Sequence, residues 1–183
     1  MKVVGNFLKV SFDQFVKDWR DTFDNLGDLR EIFDVDDHDI NEDYIADIYG
    51  NIKLPTRSTV GSAGYDFVSP LHFYLEPEDE IKIPTGIRVE INKPGWALML
   101  FPRSGLGFKY HLKFANTIPV IDSDYAYSEN EGHIFIKIRN EGSKTMVVEA
   151  GDKIVQGVFL KFGITSDDNV TTTRNGGFGS TGR

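Results

Sequence analysis

The stretch HIFIKIRNEGSKTMVVEAGDKIVQGVFLK, residues 133–161, decides the fold class. Its first seven residues place three isoleucines at alternate positions, which is the pattern of a half-buried β-strand. Two further β-rich runs, Thr145–Glu149 and Ile154–Lys161, follow after turns that contain Gly, Asn and Asp. Closely spaced strands joined by short turns predict an antiparallel β protein.

The same pattern extends upstream to about residue 51. Short β-rich runs bounded by Gly, Pro, Asn and Asp recur there about every 10 residues, a spacing typical of sandwiches and barrels. The candidate strands are Leu71–Leu75, Glu80–Pro84, Gly86–Ile91, Ala97–Phe101 and Phe114–Ile121. We therefore predict an all-β sandwich or barrel over residues 51–170.

Residues 1–50 differ from the rest in both periodicity and charge. Ser11 and Gln14 form a capping-box pair at the start of a helical pattern, and Gly50 is a candidate helix end. The residues at helical spacing are Phe12, Phe15, Val16, Trp19, Phe23 and Leu26, then Ile40, Tyr44, Ile45 and Ile48. This segment holds 5 basic and 13 acidic residues, which accounts for the whole net charge of −8. We predict an acidic helical N-terminal extension over residues 1–50.

Composition narrows the functional classes. The 183 residues include no Cys, which excludes disulfides and thiolate metal ligands. The net negative charge argues against stable nucleic-acid binding. The longest apolar run, Trp96–Phe101, is too short to span a membrane, and the N-terminus lacks the apolar core of a signal peptide. We expect a soluble cytoplasmic protein that does not bind membranes.

Five short segments carry unusual local chemistry, although each alone has an ordinary structural explanation. Arg103, Ser104 and Gly105 bring a guanidinium, a hydroxyl and a glycine amide together, a set that binds phosphate or simply forms a surface turn. The five segments are Ala-Gly-Tyr65-Asp66, Pro-Arg103-Ser104-Gly105, Asn116 with Val-Ile-Asp122-Ser-Asp-Tyr125, Gly151-Asp-Lys-Ile-Val-Gln156, and Arg174 with Gly-Gly-Phe178-Gly-Ser180-Thr181-Gly182.

In this order, the five segments resemble the five motifs of the trimeric dUTPases. The resemblance covers about residues 51–182 and implies a distorted jelly-roll β-barrel over residues 51–170, with a flexible C-terminal arm, residues 171–183, that closes over a neighbouring subunit's site. It also implies a homotrimer with shared active sites. The implied reaction is hydrolysis of dUTP to dUMP and pyrophosphate, which lowers dUTP and supplies dUMP for thymidylate synthesis.

The resemblance assigns a role to each motif residue. Asp122 activates the attacking water, Mg²⁺ lies on the triphosphate, and Asp66 reaches that ion through water. Arg103, Ser104, Gly105 and Gln156 contact the phosphates. Asn116 and the main chain at Val120 and Ile121 read the uracil edge, and Tyr125 lies under the deoxyribose. Phe178 stacks on uracil, while Arg174, Gly179, Ser180 and Thr181 belong to the arm that closes over the triphosphate.

Three departures within the motifs and two alternatives accompany this interpretation. The fifth motif has one residue fewer between Arg174 and the glycine pair than its commonest form. Pro119 stands where the family usually has Gly, and Ala126–Glu131 lengthen the hairpin after Tyr125. One alternative is a dCTP deaminase, or a bifunctional deaminase–dUTPase, of the same fold. The other is a regulatory protein that binds a protein partner through residues 1–50. We expect residues 1–50 to pack on the β body, away from the mouth of the active site, and to be unnecessary for chemistry.

Overall fold

The computed structural model describes residues 2–23 and 41–172. The strands in these ranges are β1 Gly5–Lys9, β2 Tyr65–Val68, β3 Phe73–Leu75, β4 Glu80–Pro84, β5 Ile87–Ile91, β6 Trp96–Pro102, β7 Lys113–Phe114, β8 Val120–Ile121, β9 Phe135–Arg139, β10 Met146–Val148 and β11 Lys153–Lys161. The helices are α1 Phe12–Phe23, α2 Glu42–Asn51 and α3 Ser104–Tyr110. None of these helices is long and apolar enough to cross a membrane.

The strands form antiparallel sheets, which confirms the all-β prediction. One sheet has the order β2-β11-β6-β8 and another the order β4-β9-β7, while β1 pairs with β5 and β3 with β10. In β9 the side chains of Ile136 and Ile138 are buried and that of Lys137 is exposed. The alternation seen in residues 133–139 therefore places one face of the strand in the core, as a period of two requires.

The described part of the N-terminal segment shares one hydrophobic core with the β body. Phe15, Trp19 and Phe23 on α1 and Ile45 on α2 are each at most 1% exposed and belong to the same cluster as the buried strand residues. Full burial of an apolar side chain of this size is worth about 1.5–3 kcal/mol. The helical face predicted from the sequence is therefore a packing face, although Leu26 and Ile40 lie outside the described residues.

The N-terminal segment also contributes a strand that its helical periodicity did not predict. β1 pairs with β5 from Gly5 opposite Ile91 to Lys9 opposite Ile87. Ser11 then caps α1, because its Oγ accepts a hydrogen bond from the amide of Gln14 at 3.2 Å. The chain is thus held to the body by a strand before α1 and by buried side chains within it. The division of the chain at residues 50 and 170 stays a prediction.

The predicted single strand Phe114–Ile121 is wrong. Residues 113–114 and 120–121 form two short strands, and Thr117 between them has a φ of +66°. A left-handed residue cannot continue a strand, so the chain turns at this point. The turn separates Asn116 from Val120 along the backbone and shapes the cavity described below.

Candidate active site

The first group of candidate residues surrounds the buried carboxylate of Asp66 on β2. Its Oδ2 accepts hydrogen bonds from Ser58 Oγ at 2.6 Å and from Lys153 Nζ at 2.8 Å. Its Oδ1 forms a close ion pair with Arg103 Nη1. Three of the five motifs, those that contain Asp66, Arg103 and Lys153, therefore meet within one chain. We call Ser58, Asp66, Arg103 and Lys153 the Asp66 cluster.

The Asp66 cluster presents positive charge to solvent. Burial tends to raise the pKa of Asp66, but the hydrogen bonds from Lys153 and Ser58 and the charge of Arg103 outweigh burial and lower it. The side chain of Asp66 is 3% exposed, against 35% for Arg103 and 45% for Lys153. One buried negative charge thus lies behind two partly exposed positive charges, an arrangement that attracts phosphate.

Gln156 lies beside this cluster because of the strand register. It stands opposite Asp66 in β2 and opposite Phe101 in β6, in the middle of the sheet. A Cβ atom at residue 64 would come within 2.4 Å of Gln156 Oε1, so Gly64 leaves the space that this amide occupies. The first motif, through Gly64, therefore packs directly against Gln156 of the fourth motif.

The phosphate-binding candidates Ser104 and Gly105 begin α3, a helix where the residue types suggested a turn. Gly107 N donates to Arg103 O at 2.9 Å, and the amides of the first turn have no acceptor within the helix. A Cβ atom at Gly105 would meet no described atom within 4 Å. The described chain therefore has space for a side chain at residue 105. Without one, the exposed backbone amide of Gly105 is accessible to an anion.

The second group of candidate residues lines a separate cavity of about 180 Å³. The cavity brings together four predicted site residues from the third motif, Asn116, Val120, Ile121 and Tyr125. The remaining lining residues are Pro119, Ile134 and Phe135. A volume equal to about six waters, at ~30 Å³ each, leaves room for one small heterocycle.

Tyr125 is held firmly at the wall of this cavity. It begins a single 3-10 turn, Tyr125–Tyr127, and its side chain is buried. Its hydroxyl donates to His133 O at 2.8 Å and accepts from Asn130 Nδ2 at 3.0 Å. Both hydrogen-bonding capacities of the phenol are therefore used to fix the ring.

The structure does not bring Asp122 to the Asp66 cluster within one chain. β8 pairs with β6 so that Ile121 lies opposite Leu98, and Asp122 follows toward the start of β6. Arg103 lies five residues from Leu98 in the other direction, a distance of roughly 16 Å along an extended strand. The third motif and the first two therefore occupy different parts of the chain's surface.

Some functional candidates were missed, and others cannot be placed. Ser58 belongs to no motif, and Lys153 lies within the fourth motif, Gly151–Gln156. Neither side chain was predicted to act in the site. Their positions depend on pairings across the sheet, for which a single sequence carries no local signal. The predicted arm residues Arg174, Phe178, Gly179, Ser180 and Thr181 lie outside the described residues.

The predicted contact of Asp66 with Mg²⁺ through water stays a prediction. Both of its carboxylate oxygens already have protein donors in this chain. Among residues 2–23 and 41–172, no three His, Asp or Glu side chains come together as a metal-binding group. The donor set of the described chain therefore does not form a resident metal site by itself.

Comparison with known proteins identifies the family. The family model for dUTPase matches residues 50–182. A deoxyuridine 5'-triphosphate nucleotidohydrolase of Desulfitobacterium hafniense is 42% identical over 137 residues, which cover 71% of this chain and 87% of that protein. The structure of dUTPase from Streptococcus mutans is similar with a TM-score of 0.54 at 38% identity, covering 62% of this chain and 88% of that one.

A phage enzyme extends the structural comparison. The dUTPase of Staphylococcus bacteriophage 80alpha with dUPNHPP has a TM-score of 0.55 at 25% identity and covers 73% of this chain and 94% of that one. The fold is thus the distorted jelly-roll β-barrel expected from the motifs, with a helical N-terminal extension. With the family model matched over residues 50–182, this chain belongs to the dUTPase family.

Proposed function

We propose that this protein hydrolyses dUTP, bound as its magnesium complex, to dUMP and pyrophosphate. The observation that carries the proposal is the meeting of three family motifs at one positively charged cluster, while a fourth motif lines a cavity of nucleobase size. The name of the Desulfitobacterium relative, deoxyuridine 5'-triphosphate nucleotidohydrolase, supports the same reaction.

The Asp66 cluster is proposed as the phosphate side of the site. Arg103 and Lys153 are partly exposed, while Asp66 holds them from the buried side. Arg103 with Ser104 and the amide of Gly105 binds phosphate oxygens, because a guanidinium and backbone N–H groups match the geometry of an oxyanion. Gln156 contacts the phosphates or the water from its place between β2 and β6. Asp66 acts mainly by fixing the positions of the two cations.

Asp122 is proposed as the general base. A carboxylate suits this role because it only accepts protons when ionised, and a nearby polyanion raises its basicity. The water oxygen forms a bond to the α-phosphorus as the bond from that phosphorus to the α–β bridging oxygen breaks. The water proton passes to Asp122, and pyrophosphate leaves with the bridging oxygen.

The cavity beside Tyr125 is proposed as the nucleoside side of the site. Asn116 and the main chain at Val120 and Ile121 bind the edge of uracil, and the ring of Tyr125 lies against the deoxyribose. Cytosine offers a donor at C4 where uracil offers an acceptor, so a site fixed for uracil rejects dCTP by ~10⁴ or more. The fixed Tyr125 ring excludes a 2′-hydroxyl, and limited space excludes the methyl group of dTTP.

A shared site follows from the separation between Asp122 and the Asp66 cluster. Ile121, the residue before Asp122, lies opposite Leu98, which is roughly 16 Å from Arg103 along an extended strand, and Asp122 is farther still. This separation exceeds the reach of a base that must act beside the bound phosphates. We therefore propose a homotrimer in which one chain supplies the Asp66 cluster and a second supplies Asp122 with its cavity. The arm of a third chain, with Phe178 and Arg174, closes the site.

Magnesium is proposed to arrive on the triphosphate as part of the substrate. Mg²⁺ prefers oxygen ligands and retains several waters, so phosphate oxygens satisfy much of its coordination shell. Asp66 offers oxygens of the right kind but shares them with Ser58, Lys153 and Arg103. A water-mediated contact would have to compete with these donors.

One assay tests the proposal. Pyrophosphate release is measured with dUTP, dCTP, dTTP and UTP, with Mg²⁺ and with excess chelator. We expect turnover of dUTP, at least ~10³-fold slower turnover of the others, and loss of activity on chelation. Ammonia release from dCTP is measured in parallel. Such release would favour the deaminase alternative, and no turnover of dUTP would refute the proposal.

A further inference from the structure

A buried pair of residues, Asp18 and His133, joins α1 to the body. His133 is fully buried and Asp18 is 7% exposed. His133 Nδ1 lies 2.6 Å from Asp18 Oδ2, and Gly86 N donates to His133 Nε2 at 2.7 Å. A backbone amide only donates, so Nε2 is the acceptor and Nδ1 carries the proton that Asp18 accepts. The hydrogen bonds thus fix the tautomer of His133.

The proposed reaction uses neither member of this pair. A carboxylate and an imidazole in the interior are costly unless each is hydrogen-bonded. Gln14 Nε2 adds a second donor to Asp18 Oδ2 at 2.9 Å. Both ring nitrogens of His133 and Asp18 Oδ2 are thus hydrogen-bonded, so the pair holds α1 and residue 133 in one fixed arrangement.

That role is indicated by what His133 holds. Its carbonyl oxygen accepts the hydrogen bond from the Tyr125 hydroxyl at 2.8 Å. The next two residues, Ile134 and Phe135, line the same cavity as Tyr125. The imidazole of His133 therefore anchors the segment 133–135. That segment lines part of the cavity and accepts the hydrogen bond from the Tyr125 hydroxyl.

A second contact links α1 to the lengthened hairpin after Tyr125. Ser11 donates to Glu131 from its amide at 2.7 Å and from its Oγ at 2.6 Å. Glu131 belongs to Ala126–Glu131, the segment by which this chain departs from the usual family pattern. The two additions to the family pattern, the extension and the longer hairpin, thus bind each other. Through Glu131 the extension thus contacts the segment that follows Tyr125, while its location away from the mouth of the site stays a prediction.

We propose that Asp18 and His133 are positioning residues, through which the N-terminal extension sets the place of Tyr125 and hence the preference for deoxyribose over ribose. The inference rests on the proposed function. It assigns to residues 1–50 a part in substrate selectivity, in addition to their contribution to the core. Ile134 and Phe135 stay paired with the body through their backbones, whereas loss of the Asp18 contact lets the His133 ring and its carbonyl shift. Tyr125, whose hydroxyl donates to that carbonyl, then tolerates a 2′-hydroxyl.

The test compares kcat/KM for dUTP and for UTP in three variants. Asp18→Ala removes the acceptor, and we expect the dUTP/UTP ratio to fall about tenfold or more. Asp18→Asn keeps an acceptor oxygen, and we expect its ratio to stay within about threefold of the wild type. Asp21→Ala is the matched control, because Asp21 is exposed on the same helix.

Two further measurements keep the test decisive. Ring ¹⁵N shifts should report the Nδ1–H tautomer of His133 in all three proteins, because Gly86 N still donates to Nε2. The Nδ1 shift should change in Asp18→Ala, where that proton has lost its acceptor, and should change little in Asp18→Asn. If Asp18→Ala does not fold, Glu131→Gln weakens the second contact at an accessible position, and we expect a fall of about threefold in the ratio. A wild-type protein that fails to hydrolyse dUTP refutes the proposed function. An unchanged ratio in folded Asp18→Ala, or in Glu131→Gln where it replaces that variant, with wild-type turnover of dUTP, overturns the positioning role.

Discussion

At the scale of a single residue, the role of Asp122 can be separated from substrate binding. Asp122→Asn keeps the size of the side chain and removes its basicity. We expect kcat for dUTP to fall at least ~10²-fold with a small change in KM. Asp124→Asn makes the same chemical change two residues away and should remain active. Steady-state kinetics of both variants give the answer, and a parental kcat in Asp122→Asn would mean that another group is the base.

Glu131 gives a second prediction at this scale, for stability against pH. The hydrogen bond from the Ser11 side chain lowers the pKa of Glu131 below its usual 4.5, against the opposite effect of burial. A pKa that is lower in the folded state stabilises the protein above pH 4.5, and that contribution is lost as the pH falls through the folded value. Glu131→Gln should therefore reduce the free energy of unfolding by about 0.5–1 kcal/mol at pH 7.

Urea unfolding at pH 7 and at pH 3 checks this expectation. The difference between wild type and Glu131→Gln should be smaller at pH 3, because the contribution of the lowered pKa is lost as the pH falls from the usual value of 4.5 through the folded value. Glu129→Gln is the control, because Glu129 is exposed on the same loop. A difference that is equal at both pH values would show that the charge of Glu131 does not stabilise the fold.

At the scale of elements, the local pattern predicted strands well where apolar and polar residues alternate between turn residues. Glu80–Pro84 was predicted with its observed bounds, since alternation and turn residues define it. β1 was missed because the prediction for residues 1–50 rested on the helical spacing that begins at Phe12, and the five residues of β1 are too few to show a clear alternation. α3 was missed because Gly105 and Gly107 are poor helix formers, so tertiary context decides the conformation there.

Gly132 tests how tightly the hairpin after Tyr125 is built. Its φ is +72°, and an added Cβ would lie 2.6 Å from Ala126 Cα and 2.7 Å from Tyr125 O. Gly151→Ala is the matched control, because Gly151 has a φ of +94° with open space around it. Both variants should lose about 1 kcal/mol or more from the backbone strain, and Gly132→Ala should lose more because of the contact. Equal losses of stability in thermal unfolding would show that the hairpin shifts to accommodate the added Cβ atom without further destabilisation.

A further prediction concerns Phe178 in the predicted arm, a residue outside the described ranges. The resemblance assigns Phe178 to stacking on uracil, with small residues around it. Phe178→Ala should cost about 1–3 kcal/mol in transition-state binding, the scale of stacking between a base and an aromatic ring. Phe178→Trp should stay active and lose fluorescence when a non-hydrolysable dUTP analogue binds. Unchanged emission on saturation with the analogue would count against stacking.

At the scale of the whole molecule, the resemblance supplied candidate site residues and an expected division of them among subunits, but not the pairings that place them in one chain. The motif order proposed Arg103, Asp122 and Tyr125 as site residues without any structure. The separation of Asp122 from Arg103 depends on the register of β8 against β6, and the contact of Asp18 with His133 spans 115 positions. Such pairings are set by global packing, which leaves no periodic trace in a single chain.

The shared site predicts that two inactive chains restore activity when they are mixed. One chain carries Asp122→Asn with an intact arm, and the other is cut after Thr173 with Asp122 intact. If the base and the arm come from different chains, a random equal mixture should give about a quarter of the wild-type sites, because each of two positions is filled correctly half the time. The chains are unfolded together, refolded and assayed for dUTP hydrolysis, with each chain alone as a control. If one chain supplied both the base and the arm, the mixture would be as inactive as its parts, and a monomeric mass with full activity would exclude the shared site altogether.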